Sequence, residues 1–262
     1  MAMNTGSEGV VMIDWNQTRA AIWRSRKGAL RAVNQIDDIR LDQLLGIDQQ
    51  KQSLIDNTER FLAGKSANNA LLWGSRGTGK SSLIKALLNE YSGKGLRVIE
   101  VDKEDLIDLP EIVDDIRDLK QRFIVFCDDL SFAEGENSYK PMKSILEGSI
   151  EQPPENIIIY ATSNRRHLIP ESAKENALTK IVDGELHYGD EVEEKLSLAD
   201  RFGLWLSFYP ASWQKYFELV DRYFKNYQGD QKQLHESARQ FALLRASHSG
   251  RTAKQFFLSH HD

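Results

Sequence analysis

Residues 74–81 read Gly74-Ser75-Arg76-Gly77-Thr78-Gly79-Lys80-Ser81, and Ser82 follows. An apolar stretch, Ala70–Trp73, precedes them and apolar positions resume at Leu83, so the pattern predicts a strand, a glycine-rich loop and a helix. Glycines let the backbone curl until its N–H groups point at a phosphate chain, and the helix adds its positive N-terminal end. Lys80 is expected to reach the β- and γ-phosphates, and the Ser81 hydroxyl to ligate Mg²⁺. Residues 74–82 therefore predict a binding loop for a nucleoside triphosphate.

The composition is that of a water-soluble globular domain. The 262 residues are 40% hydrophobic and 28% charged, enough for one large domain or for a main domain with a smaller appendage. The 34 basic and 39 acidic residues give a net charge of -5, which argues against a global electrostatic grip on nucleic acid but leaves room for a local basic patch. Cys127 is the single cysteine, so no internal disulfide can form, and its apolar surroundings predict a buried, unreactive thiol.

Targeting and membrane signals are not expected in this sequence. Residues 1–15 lack a basic patch followed by a long apolar stretch, so they do not resemble a signal peptide. No window of the sequence approaches about 18 uninterrupted apolar residues, the minimum for a membrane-spanning helix. These features and the lone cysteine favour a cytoplasmic protein without membrane contact.

Five apolar runs alternate with helix-compatible segments after residue 34. They are Ala70–Trp73, Leu96–Val101, Phe123–Cys127, Ile157–Thr162 and Leu204–Tyr209. Each run is continuous rather than alternating, as expected of parallel strands covered on both faces. We therefore predict an α/β fold, a three-layer P-loop NTPase sheet of about five parallel strands, over residues 34–210. Pro210 ends the last strand, and residues 211–262 predict a small helical lid subdomain.

The first 33 residues are predicted to form an N-terminal arm. Residues 1–13 suggest a flexible start. Residues 14–33 carry Trp15 and Trp23 among five arginine and lysine side chains, a pattern compatible with a basic helix. The simplest interpretation is a helix docked on the main body. An arm that binds a partner or nucleic acid is the alternative, and membrane-surface binding is a third.

Two carboxylates follow the third predicted strand. A buried strand ending in Asp128 and Asp129 is expected to lift Asp128 beside the phosphate loop, where it can hold Mg²⁺ directly or through water. Asp129 is then positioned to polarise the attacking water. Acidic residues also commonly begin loops after strands, which is the plainer interpretation of both. Many related ATPases have Glu at the second position, and Asp is one methylene shorter, so hydrolysis could be slow.

The fourth predicted strand also ends in polar residues. In a parallel sheet its carboxyl end lies beside the previous site, so Asn164 could bond the γ-phosphate or orient the water, or serve as an ordinary turn residue. Arg165 and Arg166 could reach phosphate or a neighbouring subunit, or lie at the surface. Residues 132–139 could form a substrate-facing loop or a solvated connector.

These motifs together resemble the AAA+ ATPases. The phosphate loop, the Asp-Asp strand end and the Asn-tipped strand occur in order, followed by Leu198–Gly203 and Ser249–Ala253. More narrowly, three stretches are similar to an uncharacterised bacterial AAA+ group known only as a domain of unknown function. These stretches are Asn68–Gly74, Phe126–Phe132 and Ala161–Leu168. The resemblance covers roughly residues 35–262.

The resemblance implies further roles by position. Asn164 matches sensor 1, Arg201 the arginine finger that enters a neighbouring subunit's site, and Arg251 sensor 2 on the lid. Ile47 lies in the segment that packs on the adenine. Guanidinium groups held near the γ-phosphoryl oxygens would stabilise charge that develops there. Arg201 could instead be a helix C-terminal arginine, and Arg251 a solvated charge at a helix start.

Three functional hypotheses follow from this pattern. The first is an ATP-hydrolysing homo-oligomer with ATP or ADP between subunits, acting on an unknown protein target. The second is a nucleotide-gated binding or scaffold module with little hydrolysis, which the shorter Asp129 makes credible. The third is a helicase-loader-like ATPase on DNA, which the net charge disfavours. A GTPase is not favoured, because no Asn-Lys-x-Asp guanine-reading sequence is present.

Overall fold

The computed structural model describes residues 13–132, 139–147, 152–166, 168, 180–182, 185–187 and 196–260. The expected flexible start falls almost entirely outside this part of the chain. The same is true of most of the candidate loop at 132–139.

A seven-stranded sheet forms the centre of the molecule. Its strands are β1 (Ala20–Arg24), β2 (Ala29–Ala32), β3 (Ala70–Gly74), β4 (Leu96–Glu100), β5 (Arg122–Cys127), β6 (Ile157–Ser163) and β9 (Leu204–Phe208), and a separate hairpin pairs β7 (Lys180–Val182) with β8 (Glu185–His187). The spatial order is β2-β1-β4-β5-β6-β3-β9, and only β2 is antiparallel to its neighbour. The five predicted strands are all present and parallel, so the predicted core sheet is confirmed.

Helices cover the two faces of the sheet and form the carboxyl-terminal part. They are α1 (Asp48–Leu62), α2 (Lys80–Tyr91), α3 (Leu109–Ile116), α4 (Lys140–Glu147), α5 (Trp213–Tyr223), α6 (Gln231–Leu244) and α7 (Gly250–His260). Short 3₁₀ turns lie at Ser25–Lys27, Leu41–Gln43, Ser92–Lys94 and Lys103–Asp108. The predicted helical character of residues 211–262 is confirmed by α5, α6 and α7.

Strand β5 shows why both faces of the sheet are buried. Phe123 and Val125 pack on the side of α3 and α4, while Ile124 and Phe126 pack on the side of α1 and α2. All four side chains are buried, which is why the sequence shows a continuous apolar run rather than an alternating one. Cys127 ends the same strand, and burial raises the pKa of its thiol to about 12. This packing confirms the predicted three layers, and it buries Cys127 as its apolar surroundings predicted.

The basic helix predicted over residues 14–33 is wrong, because this segment forms the β1–β2 hairpin. Strand β1 pairs in parallel with β4, so the hairpin extends the main sheet. Trp23 is buried under this edge and its indole N–H donates to Asp108 Oδ2 at 2.9 Å, while Trp15 packs edge-on against Phe123. The turn closes at Gly28, whose φ of 54° is left-handed. The burial of the two tryptophans and the turn at Gly28 thus favour a hairpin, although the spacing of the other apolar residues also suits a helix.

Within the part of the chain described above, no helix combines the length and apolar character needed to cross a membrane.

Candidate functional site

The glycine-rich loop between β3 and α2 is shaped by three left-handed glycines. Gly74, Gly77 and Gly79 have φ values of 129°, 76° and 97°. A Cβ on Gly74 would lie 2.0 Å from the Phe208 carbonyl oxygen, and Ser75 N donates to that same oxygen at 2.9 Å. The loop is therefore tied to the end of β9, and no other residue type fits at its first position.

Lys80 begins α2 with its side chain folded back over the loop. Its ammonium donates to the main-chain oxygens of Gly74 and Ser75, each at 2.8 Å, and to Asn164 Oδ1 at 3.2 Å. Burial lowers the pKa of Lys80, and the carboxylates of Asp128 and Asp129 oppose that effect. The Lys80 ammonium is thus held where the charges of Asp128 and Asp129 act on it.

The hydroxyl of Ser81 and the carboxylate of Asp128 meet at the same point. Ser81 Oγ donates to Asp128 Oδ1 at 2.7 Å. Ligands of Mg²⁺ at about 2.1 Å in an octahedron are about 3.0 Å apart, so these two oxygens are spaced as neighbouring ligands would be. A site with one carboxylate and one hydroxyl suits Mg²⁺, which keeps several waters and takes its remaining ligands from phosphate. Ser81 and Asp128 therefore fit as the residues that would hold Mg²⁺.

Thr162 links the two carboxylates from the neighbouring strand β6. Its hydroxyl donates to Asp128 Oδ1 and accepts the main-chain N–H of Asp129 at 3.0 Å. Thr162 itself is 2% exposed, whereas the two aspartates that it contacts are exposed. One buried hydroxyl therefore fixes the orientation of Asp128 and the backbone of Asp129 together.

Asp129 has an uncommon backbone conformation for a non-glycine residue. Its φ of 53° is left-handed, and its Oδ1 accepts a hydrogen bond from Asn164 Nδ2. Asn164 therefore contacts both Lys80 and Asp129, one through each end of its amide. The structure brings the asparagine of β6, the loop lysine and the second carboxylate into one connected network.

A cleft of about 940 Å³ opens above this network. Its lining includes Arg76–Ser82, Asp128, Asp129, Asn164, Ile47 and Arg251. Ile47 precedes α1 and is buried, and its Cδ1 lies 3.5 Å from where a Cβ on Gly79 would stand. The predicted nucleotide-binding residues thus border one cavity, apart from Gly74 and Ser75, which form the base of the loop.

The carboxyl-terminal helices approach the loop at its tip. A Cβ on Gly77 would meet Ser249 Oγ at 2.6 Å and Arg251 Cβ at 3.5 Å. Ser249 bonds in turn to Thr252, with 3.0 Å between the two hydroxyl oxygens. On the other side of the cleft, Arg222 of α5 donates to the Asp42 main-chain oxygen at 2.6 Å. The carboxyl-terminal helices therefore contact the rest of the chain at two points beside the cavity.

Arg201 lies apart from this cleft in the described structure. It follows a short helical turn at 196–200, and its guanidinium donates to the main-chain oxygen and the hydroxyl of Ser197. The described lining of the cleft does not include Arg201. Of the nearby arginines, Arg165 is bonded through its main-chain N–H to Ser163 Oγ, and Arg166 lies over the ring of Trp73.

Sequence reasoning missed several residues that border or support the site. Thr162 gave a usable signal, because it is a polar residue near the end of a largely apolar strand, two positions before Asn164. Ser249 begins one of the stretches that carry the resemblance, but its contact with Gly77, far away along the chain, could not be predicted from that stretch. The segment at 37–43 also lines the cleft, and Asn89 fixes part of it by donating to two of its main-chain oxygens.

Comparison with known proteins gives the following results. The family described as "Protein of unknown function (DUF815)" matches residues 16–261. Two variants of RuvB from Thermotoga maritima, one with a lysine changed to arginine and one with a threonine changed to valine, are similar in structure, each with a TM-score of 0.52. Their sequence identities are 12% and 13%, and each match covers 84% of this chain and 72% of the RuvB chain. No curated protein matches the sequence.

Proposed function

This chain belongs to the family of unknown function DUF815 and has the AAA+ P-loop fold, and from that premise we propose that it hydrolyses ATP at subunit interfaces. The observation that carries the proposal is the convergence of Lys80, Ser81, Asp128 and Asn164 on one cleft. Each of these residue types suits one task in phosphoryl transfer. ATP would be the substrate, and ADP and phosphate the products.

The mechanism assigns a separate task to each residue. Backbone N–H groups of the loop and the Lys80 ammonium would bind the β- and γ-phosphates and stabilise charge on the γ-phosphoryl oxygens. Ser81 and Asp128 would hold Mg²⁺, which neutralises phosphate charge when bound. Asp129 would accept a hydrogen bond from the attacking water, and Asn164 would orient that water. Water adds to the γ-phosphorus as the bond to the ADP oxygen breaks.

Two arginines would complete the site in different ways. Arg251 stands at the start of α7 beside Gly77, close enough to the loop for a lid residue to touch the γ-phosphate. Arg201 is outside the described lining of its own cleft, which is compatible with action in the site of a neighbouring copy. We therefore propose a homo-oligomer in which hydrolysis at shared sites moves the lids and acts on a target protein.

A second function is favoured by one observation at Asp129. Its carboxylate is already bonded to Asn164, and its side chain is one methylene shorter than glutamate. A water-activating group held in this way would give slow turnover. The protein would then act as a nucleotide-gated binding module, in which bound ATP holds a partner and hydrolysis is rare.

Steady-state ATP turnover at rising protein concentration tests the proposal and separates the two functions. An ATPase with shared sites should show specific activity that increases as subunits assemble, whereas a gated binding module should bind ATP tightly with negligible turnover. Arg201→Ala should retain ATP affinity and lose about 10³-fold or more in kcat if it acts as an arginine finger. Unchanged turnover in Arg201→Ala would remove this role.

Mixed oligomers test whether the sites are shared. Arg201→Ala and Lys80→Ala subunits should each be inactive alone. Mixed together they should regain part of the activity, because some interfaces then combine an intact loop with an intact arginine. No recovery at any ratio would support a mechanism contained in one subunit.

A further inference from the structure

The β1–β2 hairpin concentrates positive charge in an acidic protein. Residues 15–36 contain five basic side chains, while all 39 acidic residues of the chain lie outside this stretch. The five are Arg19, Arg24, Arg26, Lys27 and Arg31, and all are exposed. Four of them are arginines, the side chain best suited to bidentate contact with phosphate. A local patch of this kind is compatible with the net charge of -5.

Some basic residues of the helices are balanced by a nearby acidic side chain of the same segment, whereas the hairpin cations are not. Lys51 on α1, Arg117 directly after α3 and Lys215 on α5 each pair with an acidic residue three positions away. Among the described ion pairs, none involves a basic residue of the hairpin. Two acidic residues lie close to the hairpin: Glu100 is beside Ile22 in the sheet register and interacts electrostatically with Arg24, and Asp108 accepts the indole N–H of Trp23. The hairpin charges are therefore largely available to a partner.

The hairpin is a rigid platform rather than a loose arm. Trp23 and Trp15 are buried, at 5% and 7% exposure, so the aromatic side chains anchor the segment instead of facing a partner. Arg97 adds to this anchor by donating to the Trp15 main-chain oxygen at 2.8 Å. The cations are exposed, and the pairing of β1 with β4 holds the backbone that carries them. The backbone that carries these cations is already ordered, so binding costs conformational entropy only in their side chains.

The tip of the hairpin lies at the same edge of the sheet as the nucleotide cleft. Ile22 is level with Glu100, and Glu100 with Phe126, so Arg24 is level with Asp128 two strands away. At about 4.8 Å between strands, the two backbone positions are about 10 Å apart. A chain bound at the hairpin would therefore pass close to the candidate Mg²⁺ residues.

From these observations we propose that the hairpin binds the phosphate backbone of a nucleic acid, with Arg24, Arg26, Lys27 and Arg31 as its contacts. Nucleic acid is favoured over an acidic protein segment because guanidinium groups predominate and no exposed apolar side chain of the hairpin accompanies them. The binding would be independent of sequence, since backbone phosphates carry no base information. It does not require ATP hydrolysis, so its failure and that of the proposed ATPase activity can be distinguished.

Salt-dependent DNA binding tests this proposal. Labelled single-stranded DNA and the same sequence as a duplex are titrated with the full chain, without nucleotide, and followed by fluorescence anisotropy. If four cations each contact one phosphate, affinity for the single strand should fall about 50-fold between about 50 and about 200 mM salt. Replacing all four by glutamine should remove this salt dependence and most of the binding. Absence of binding at low salt would overturn the proposal.

A matched variant controls for net charge. Arg60, Lys65, Lys232 and Arg239 are exposed, and they lie on α1, directly after α1, and on α6 rather than on the hairpin. Changing these four to glutamine removes the same charge and should leave DNA affinity within about twofold of the parent. Equal losses in both variants would show a global charge effect and refute the hairpin as the contact.

A milder variant and a competitor sharpen the test. If the fourfold hairpin variant unfolds, the pair Arg26→Gln and Lys27→Gln in the turn should still halve the slope of log affinity against log salt. Polyglutamate of matched charge is then used as a competitor, and it should displace little of the bound DNA. Displacement of DNA at equal charge concentration would identify a general polyanion surface, open to acidic proteins, and would contradict the preference for nucleic acid.

Discussion

The phosphate loop and the N-terminal hairpin both reach the carboxyl edge of one sheet, but they are held in opposite ways. The loop is crowded, since a Cβ on Gly74 or Gly77 would collide with Phe208 or Ser249. The hairpin turn is open, and a Cβ on Gly28 would meet nothing within 4 Å. The conformation of the loop depends mainly on its own glycines and lysine. The hairpin is instead held by contacts of its tryptophans with residues far away along the chain. The loop can therefore be predicted from its own residues, whereas the hairpin depends on residues elsewhere in the chain.

The largest effect on nucleotide binding is expected at the lysine of the loop. Lys80→Ala removes a buried ammonium that two loop carbonyls and Asn164 hold at the phosphate position, so ATP affinity should fall by about 100-fold or more. Isothermal titration with a non-hydrolysable ATP analogue measures the loss. Lys85→Ala, half-exposed in the next turn and paired with Asp37, should change affinity far less. Tight binding retained by Lys80→Ala would contradict the assignment of the loop.

The next effect tests whether the hairpin is independent of the loop. Trp23→Ala removes a buried ring and its bond to Asp108, and should lower the free energy of unfolding by about 3–5 kcal/mol. Chemical denaturation gives this value. Trp23→Phe, which keeps a ring, should cost less. Under native conditions ATP affinity should stay within about threefold, and a collapse of ATP binding would show that loop and hairpin form one unit.

A smaller effect tests whether a residue outside the loop, Thr162, positions the Asp128 carboxylate. Thr162→Val keeps the shape of the side chain but removes a hydrogen bond to the Asp128 carboxylate, so turnover should fall about 10- to 100-fold and more Mg²⁺ should be needed for half-maximal rate. Thr162→Ser retains the hydroxyl and should recover most of the activity. If valine and serine behave alike, the hydroxyl has no positioning role.

The smallest effect is expected at the open turn. Gly28→Ala introduces a side chain at a left-handed φ of 54° without a steric contact, so the cost should be about 1 kcal/mol of backbone strain. Thermal unfolding measures it, with ATP affinity as the control. A loss as large as that in Gly77→Ala, whose Cβ would strike the Ser249 hydroxyl, would remove the distinction between open and crowded turns.

Sequence alone predicted the parts of the molecule that depend on local pattern. The five core strands were predictable because parallel strands buried on both faces form continuous apolar runs, as in β5. The phosphate loop was predictable because its glycines and lysine stand at fixed spacing. Asp128 could be located beside the loop because carboxyl ends of parallel strands share one edge.

Other features depend on contacts between distant residues. The β1–β2 hairpin was predicted wrongly because Trp15 and Trp23 fit a helical spacing as well as a strand, and pairing with β4 decided the outcome. The Ser249 contact with Gly77 has no counterpart in any local pattern. The role of Arg201 stays a prediction, since its proposed site belongs to another copy of the chain.

The start of α7 contacts Gly77, so the carboxyl-terminal helices meet the phosphate loop at one end of the cleft. Helix α7 begins at Gly250, next to a hydroxyl that already touches the loop, so the carboxyl-terminal helices would pivot about the phosphate end of the cleft. Helix α6 has 14 residues and is about 21 Å long, so a tilt of about 10° displaces its far end by about 4 Å. Under the proposed ATPase function, a small rearrangement at the loop would therefore produce a larger movement at the far end of α6.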